Sequence, residues 1–292
     1  MKRIGIICVL ALFSIFSLQA QKNSESIDRW NSYTMRFLDD SPDSVKLNAL
    51  ENFKSEFKTW LSSTEAFQNP MDKLKNISLL QSPDKDWRIY TWCVKYNNGR
   101  YENFGFTQHY NKKDDYVHIA ELQDNKPEFK VVETRNYGKD QWYGSVYYDM
   151  VPRSIGKKGH YVLIGFDNHN KSTKRKVIEV LSFNRMGEPI FGAAIFKTER
   201  RFFNRIVMEY NAQAQVSVRY QKDKNWILFD YIAPVSREYT NQFQFYGPTG
   251  EYDAFIIEKN ILKINRGADA RNPTENKGNT SKKPERKLGP RN

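Results

Sequence analysis

The sequence is poor in the side chains that most enzymes use for covalent or metal chemistry. Two cysteines and four histidines occur in 292 residues. Cys8 lies in an apolar N-terminal run, so Cys93 stands alone in the remainder. One thiol cannot close an intrachain disulfide, so packing has to hold the core. Cys93 sits between Trp92 and Val94 in a strand-like run. That context reads as a small buried apolar side chain rather than a nucleophile. His109 and His118 flank the polar turn Asn111–Asp115 and are expected to face each other across a hairpin. No third ligand stands nearby for zinc. Asp167-Asn168-His169-Asn170 has oxygen donors, but Lys171, Lys174, Arg175 and Lys176 follow and oppose a cation. It reads as an Asx-rich turn.

The catalytic signatures are missing too. There is no G-x-S-x-G elbow, H-E-x-x-H helix, phosphate-binding loop, paired C-x-x-C or dinucleotide fingerprint. No metal and no cofactor are expected. Glycosidase chemistry needs two carboxylates across one cleft. Asp149, Glu179, Glu188, Asp230 and Asp253 are available in type, but nothing along the chain pairs them. The catalytic residues, if any, are not legible.

A second long apolar run is also lacking. The first 21 residues, MKRIGIICVLALFSIFSLQAQ, carry Lys2 and Arg3, then uncharged apolar residues from Ile4 to Leu18, then Ala20. This is the layout of a secretory signal peptide, and the run is short for a span of roughly 20 residues. Cleavage after Ala20 is expected, leaving no transmembrane segment.

Acidic balance is scarce at one end only. The net charge is +12, yet Arg266–Asn292 alone holds eight Lys/Arg against three Asp/Glu. That tail lacks aromatics and is rich in Asn, Pro and Gly, so it is expected to be disordered and able to touch anionic surfaces. The charge is thus no argument for a specific nucleic-acid-binding fold.

What is abundant is aromatic: 17 Tyr and 19 Phe, a composition that suits pleated, half-buried surfaces. Two helices are expected first. Ser26–Leu38 places Ile27, Trp30, Phe37 and Leu38 near one face. Ser41-Pro42-Asp43 is a helix start, with Ser41 as cap and Pro42 first in the helix. Leu50, Phe53, Phe57, Trp60 and Leu61 then form one apolar stripe that has to pack on the body. From about Ile77 the period becomes two. Short strands follow to Ile264, separated by turns such as Asn98-Gly99, Met186-Gly187 and Gly247-Pro248. They include Phe129–Arg135 and Gln242–Tyr246. The pattern predicts an antiparallel β-body of sandwich, barrel or propeller kind behind a short helical segment. Its divisions are a signal peptide at 1–20, helices in 21–76, the β-domain in 77–265 and the tail in 266–292.

Asn98-Gly99 as a two-residue type I′ turn sets a register of Lys95 with Glu102, Cys93 with Phe104 and Thr91 with Phe106. Ile89, Thr91, Cys93, Phe104 and Phe106 would then face the core. Tyr90, Trp92 and Tyr96 would form a second face open to a ligand. Tyr and Trp on such a face suit stacking against sugars. Tyr137, Trp142, Tyr143 and Tyr148 in RNYGKDQWYGSVYYDM, and Tyr246 in a turn, complete the candidate set with Tyr90 and Trp92.

The segments DKDWRIYTW, QWYGSVYY, YVLIGFD, KVIEVLSF, AQVSVRY and QFYGPTGEYDAF, with the LQAQ leader end, carry a resemblance. The chain resembles a family of uncharacterised exported β-rich proteins of Bacteroidota across roughly Ile77 to Asn272. The resemblance implies export to the periplasm, the envelope or the medium, and supplies no catalytic residue. Asp43-Ser44-Val45 is similar to an envelope O-glycosylation site of that lineage. The leading expectation is a non-catalytic binding protein of the envelope or secretome, with a glycan or an envelope protein as ligand. The alternatives are a glycan-acting hydrolase with paired carboxylates and a structural subunit of an envelope assembly. An exposed aromatic strip favours the first, a cleft with facing carboxylates the second, and an apolar patch on the helices the third.

Overall fold

The computed structural model describes residues 25–69, 71, 73–125, 132–155 and 159–270. The expected signal peptide, the tail from residue 271 and residues 129–131 of one expected strand lie outside the described residues.

Helix α1 covers residues 25–34 and runs into a 3-10 turn, Met35–Phe37. Helix α2 is Asp43–Leu61 and α3 is Thr64–Gln68. Pro42 is the N-cap of α2, so the helix begins one residue later than its Ser-Pro-Asp signal suggested. The fixed φ of proline suits either place. Ser44 is exposed in the first turn.

Three antiparallel sheets follow. Strands β1 (Ser78–Gln81), β2 (Trp87–Lys95), β3 (Tyr101–Asn111) and β4 (Tyr116–Gln123) form the first, in that order. The second contains β5 (Val146–Ser154), β6 (Tyr161–Asp167), β7 (Thr173–Phe183) and β11 (Arg205–Asn211), with β8 (Pro189–Phe191) beside β7. The third runs β10-β9-β15-β14-β13-β12. Its strands are β9 (Phe196–Lys197), β10 (Phe202–Phe203), β12 (Val218–Gln221), β13 (Trp226–Pro234), β14 (Tyr246–Glu258) and β15 (Ile261–Asn265). The pairing of β9 with β15 is parallel. The mainly β, antiparallel expectation holds, and the sheets stack in layers.

The layers explain the aromatic content. Phe53 and Phe57 of α2 pack on Tyr90, Trp92 and Phe106 of the first sheet. The opposite face of that sheet, with Trp87, Ile89 and Leu122, packs on Tyr147, Leu163 and Leu181 of the second. The far face of the second sheet, with Val162, Ile164, Ile178 and Val180, packs on Ile227, Phe255 and Leu262 of the third. Two of the three sheets are therefore covered on both faces. Burying each large side chain is worth about 1.5–3 kcal/mol.

The hairpin register is one residue off the type I′ prediction. Lys95 pairs with Tyr101, Trp92 with Phe104 and Tyr90 with Phe106. Gly99 N–H donates to Tyr96 O at 2.8 Å, and Tyr96 N–H donates to Arg100 O at 2.9 Å. Gly99 has φ +84°, while Asn98 is not in the left-handed region. This is a three-residue loop: a type I turn closed by a glycine bulge. The slip brings Phe104 and Phe106 onto the face of Tyr90 and Trp92, where α2 covers all four.

Two expected strands are not strands. Val132–Thr134 and Phe243–Phe245 are 3-10 turns. In the second, alternating Phe243 and Phe245 imitate the strand period within a turn that lies beside β11.

Candidate functional site

Five of the seven candidate aromatics are core residues. Tyr90 and Trp92 lie under α2: the ring of Phe57 meets Tyr90 edge-on at 5.1 Å, and Phe53 meets Trp92 at 5.3 Å. The expected open face of the first sheet is thus closed by the helix stripe. Tyr137, Trp142 and Tyr143 are buried around a different centre. Arg205 of β11 and Glu179 of β7 form an ion pair with both side chains fully buried, Nε to Oε2 2.9 Å. Arg205 also donates to the carbonyls of Arg135 and Phe191. Its guanidinium lies over the ring of Tyr137 at 4.7 Å and that of Tyr143 at 6.0 Å. The Tyr147 hydroxyl donates to Glu179 Oε1, and Trp142 Nε1 donates to Tyr147 at 2.8 Å. Burial, then the Glu179 carboxylate, hold the Tyr147 phenol well above its ordinary value. The aromatic cluster therefore wraps a buried charge pair and presents nothing to a ligand.

Tyr148 is partly exposed, but Lys176 Nζ lies over its ring at 4.6 Å, and its hydroxyl donates to Val218 O. Only Tyr246 belongs to an open aromatic surface.

The other chemistry-bearing groups are engaged structurally. His109 and His118 do pair across β3 and β4. His109 stacks on Phe183 at 4.7 Å, and burial lowers its pKa. His118 Nε2 is 3.3 Å from Glu188, which also accepts from Lys139. Among the described residues, no three His, Cys, Asp or Glu side chains gather to hold a metal ion. Cys93 is buried, with Asn168 Nδ2 donating toward Sγ at 3.4 Å. Asp167 of the Asx turn is buried too, accepting from Asn103 Nδ2 and His169 N–H. Asp230 and Asp253 come near one cavity. Asp230 pairs with Tyr252 and Phe229 with Asp253, so the two carboxylates point to opposite faces of their ribbon. Asp149 accepts from Tyr220 N–H.

The exposed site is an arm. Strands β13 and β14 continue past their neighbours through Ile232–Pro248, Ala233–Gly247 and Pro234–Tyr246. β12 reaches only Phe229 and β15 reaches only Ala254, so among the described residues no strand is hydrogen-bonded along the flanks of this extension, while its turn Phe243–Phe245 lies beside β11. A register shift between Asp230 and Ile232 sets the arm off from the sheet. Val235 N–H donates to Phe245 O at its end, and Asn241 N–H donates to the Tyr246 hydroxyl at 3.0 Å. The rings of Tyr239 and Phe245 lie 4.2 Å apart and those of Phe243 and Tyr246 5.1 Å apart. Tyr231, Val235, Phe243 and Phe245 are all exposed, Val235 at 78%. A partly exposed apolar cluster at a hairpin end set beside β11 suits contact with a partner.

Gln244, between the two phenylalanines, also lines an open polar groove of about 550 Å³. Asn98 and Arg100 of the first-sheet hairpin, Asn170 and Ser172 of the Asx turn, and Glu209 line the rest. Asn211 Nδ2 donates to Gln244 O and ties the arm to β11. Amide, hydroxyl and guanidinium groups thus sit next to aromatic rings. Apart from Tyr246, sequence reasoning missed the arm, because its alternating phenylalanines have the period of a buried strand.

Fold and surface together define a layered antiparallel β-protein, helix-covered at one side and carrying an exposed aromatic arm. No family model, no curated protein and no solved structure matches the chain.

Proposed function

We propose that the protein is an exported recognition module of the cell envelope or secretome, and that it binds through the aromatic arm and the polar groove beside it. The observation that carries this is the set of partly exposed aromatic side chains at the end of the β13–β14 hairpin. Flat rings with amides and a guanidinium close by match the alternating apolar and hydroxylated faces of a glycan. Export rests on the leader, and the basic tail would add attraction to anionic envelope surfaces.

The test is a binding screen of glycans and cell-wall polymers on the chain from Gln21 onward, beside the double variant Phe243→Ala/Phe245→Ala. A polymer that binds the native chain and not the variant, with equal denaturation midpoints, supports the reading. Absence of any polymer binding removes the glycan ligand and leaves an envelope protein, to be sought by cross-linking from the arm. Polymer binding untouched by the double variant removes the arm from the function.

A further inference from the structure

At the root of the arm, between the second and third sheets, the core is not filled. A cavity of about 240 Å³ is walled by Phe203, Ile206, Met208, Phe229, Phe255 and Ile264. That is on the order of eight water volumes at roughly 30 Å³ each, room for a medium-length alkyl chain. A separate open cleft of about 840 Å³ adjoins it, and Thr198, Phe203 and Arg266 line both. The cleft also has Arg200 and Arg201, with Glu199 as its one carboxylate.

The charges of the two spaces differ in what already neutralises them. Arg266 is spoken for by Glu199 and Asp253. Asp253 further accepts from Gly267 N–H. Asp230 accepts from Ser217 N–H. Glu133 accepts from Val207 N–H, and burial raises its carboxyl pKa. Arg201 lies over the Phe203 ring at 4.5 Å and attracts Glu133 at longer range, as Arg200 attracts Glu199, but neither arginine forms an ion pair among the described residues. An apolar well thus adjoins a cleft whose Arg200 and Arg201 stand outside the ion pairs of the described residues.

We infer that this composite site binds a small free amphiphile: an alkyl chain of about eight carbons in the well, with a carboxylate or phosphate head between Arg200 and Arg201. The site is distinct from the polar groove, and the inference stands whether or not the arm binds a glycan. The head gains charge-assisted hydrogen bonds at the rim, and the chain removes apolar surface from water in a preformed space.

The test is titration calorimetry of the chain from Gln21 onward with octanoate and octyl phosphate, against octylamine and 1-octanol. Both anions are expected to bind about tenfold more tightly than the amine or the alcohol. Arg200→Ala/Arg201→Ala should bring octanoate down to the level of 1-octanol and leave 1-octanol unchanged. Both arginines are on a surface turn, so the fold does not depend on them. Ile206→Trp, which fills the well, should abolish all binding. Failure of octanoate to bind, octylamine binding equal to octanoate, or octanoate binding unchanged in the double arginine variant would each overturn the site. A last arm uses phosphatidylglycerol vesicles. Vesicle binding that octanoate fails to displace, with no octanoate binding of its own, would mean surface adsorption and also end the proposal.

Discussion

Arg205 and Glu179 stand directly opposite each other on β11 and β7, 2.9 Å apart, and neither side chain reaches solvent. The pair is expensive to desolvate, and its cost is met by the full set of hydrogen bonds around it. Arg205→Met would leave the buried Glu179 carboxyl without its cation, with the Tyr147 hydroxyl as its remaining described partner. We expect a loss of about 3–5 kcal/mol. Arg205→Met/Glu179→Leu removes both charges and should cost less than Arg205→Met alone. Urea midpoints of the two variants decide it, and a double variant that is worse than the single one refutes the argument.

The hairpin turn gives a second test. Gly99 closes the bulge at φ +84°, a conformation that β-branched residues resist. Gly99→Val is expected to lower stability by more than about 1 kcal/mol, and Gly99→Asn by less, since asparagine tolerates the left-handed region. The Lys171 side chain over Gly99 is flexible and can move aside. Equal denaturation midpoints for both variants would remove the bulge from the account.

Cys93 should be inert in the native state. It is buried between the first sheet and the Asx turn, so a thiol reagent reaches it only through opening of the fold. Labelling is expected to accelerate steeply with urea. Stoichiometric labelling within the mixing time in buffer would show that the site is open.

His109 sets a pH dependence. Burial lowers its pKa in the folded state; Asp86 and Asp84 favour its charged form and His118 opposes it. The unfolded chain therefore binds the proton first as pH falls. The stability linked to this group is fully present above pH about 6.5 and declines below it, down to the folded pKa. His109→Gln should show a smaller loss of urea midpoint than the native chain between about pH 7.5 and about pH 5. Parallel losses in both proteins would place the titration elsewhere.

The two aromatic classes should separate by stability. Tyr90→Ala, under α2, is expected to cost about 3–5 kcal/mol, as for other large core truncations. Phe245→Ala, on the arm, should cost about 0.5 kcal/mol or little more. Thermal melts of the two variants measure the difference. A large loss from Phe245→Ala would make the arm a structural element.

Sequence and structure agree mostly where short-range physics decides. The stripe Leu50, Phe53, Phe57 and Leu61 has helical spacing whatever covers it, and it does form the buried face of α2. Most period-two runs and the cross-hairpin neighbours His109 and His118 are local in the same sense, while the Asn98-Gly99 turn stands where expected with its register shifted by one residue. The covering of a face is not local. Tyr90 and Trp92 alternate as residues of an open face would, and only the docking of α2, more than thirty positions earlier, buries them. Arg205 meets Glu179 across 26 positions of chain, so no window of the sequence could pair them. Phe243 and Phe245 carry the period of a core strand, yet they stay partly exposed in a 3-10 turn that Asn211, 33 positions before Gln244, fixes beside β11. Periodicity gives the shape of each element, and the solvent exposure of a face depends on which distant segment packs against it.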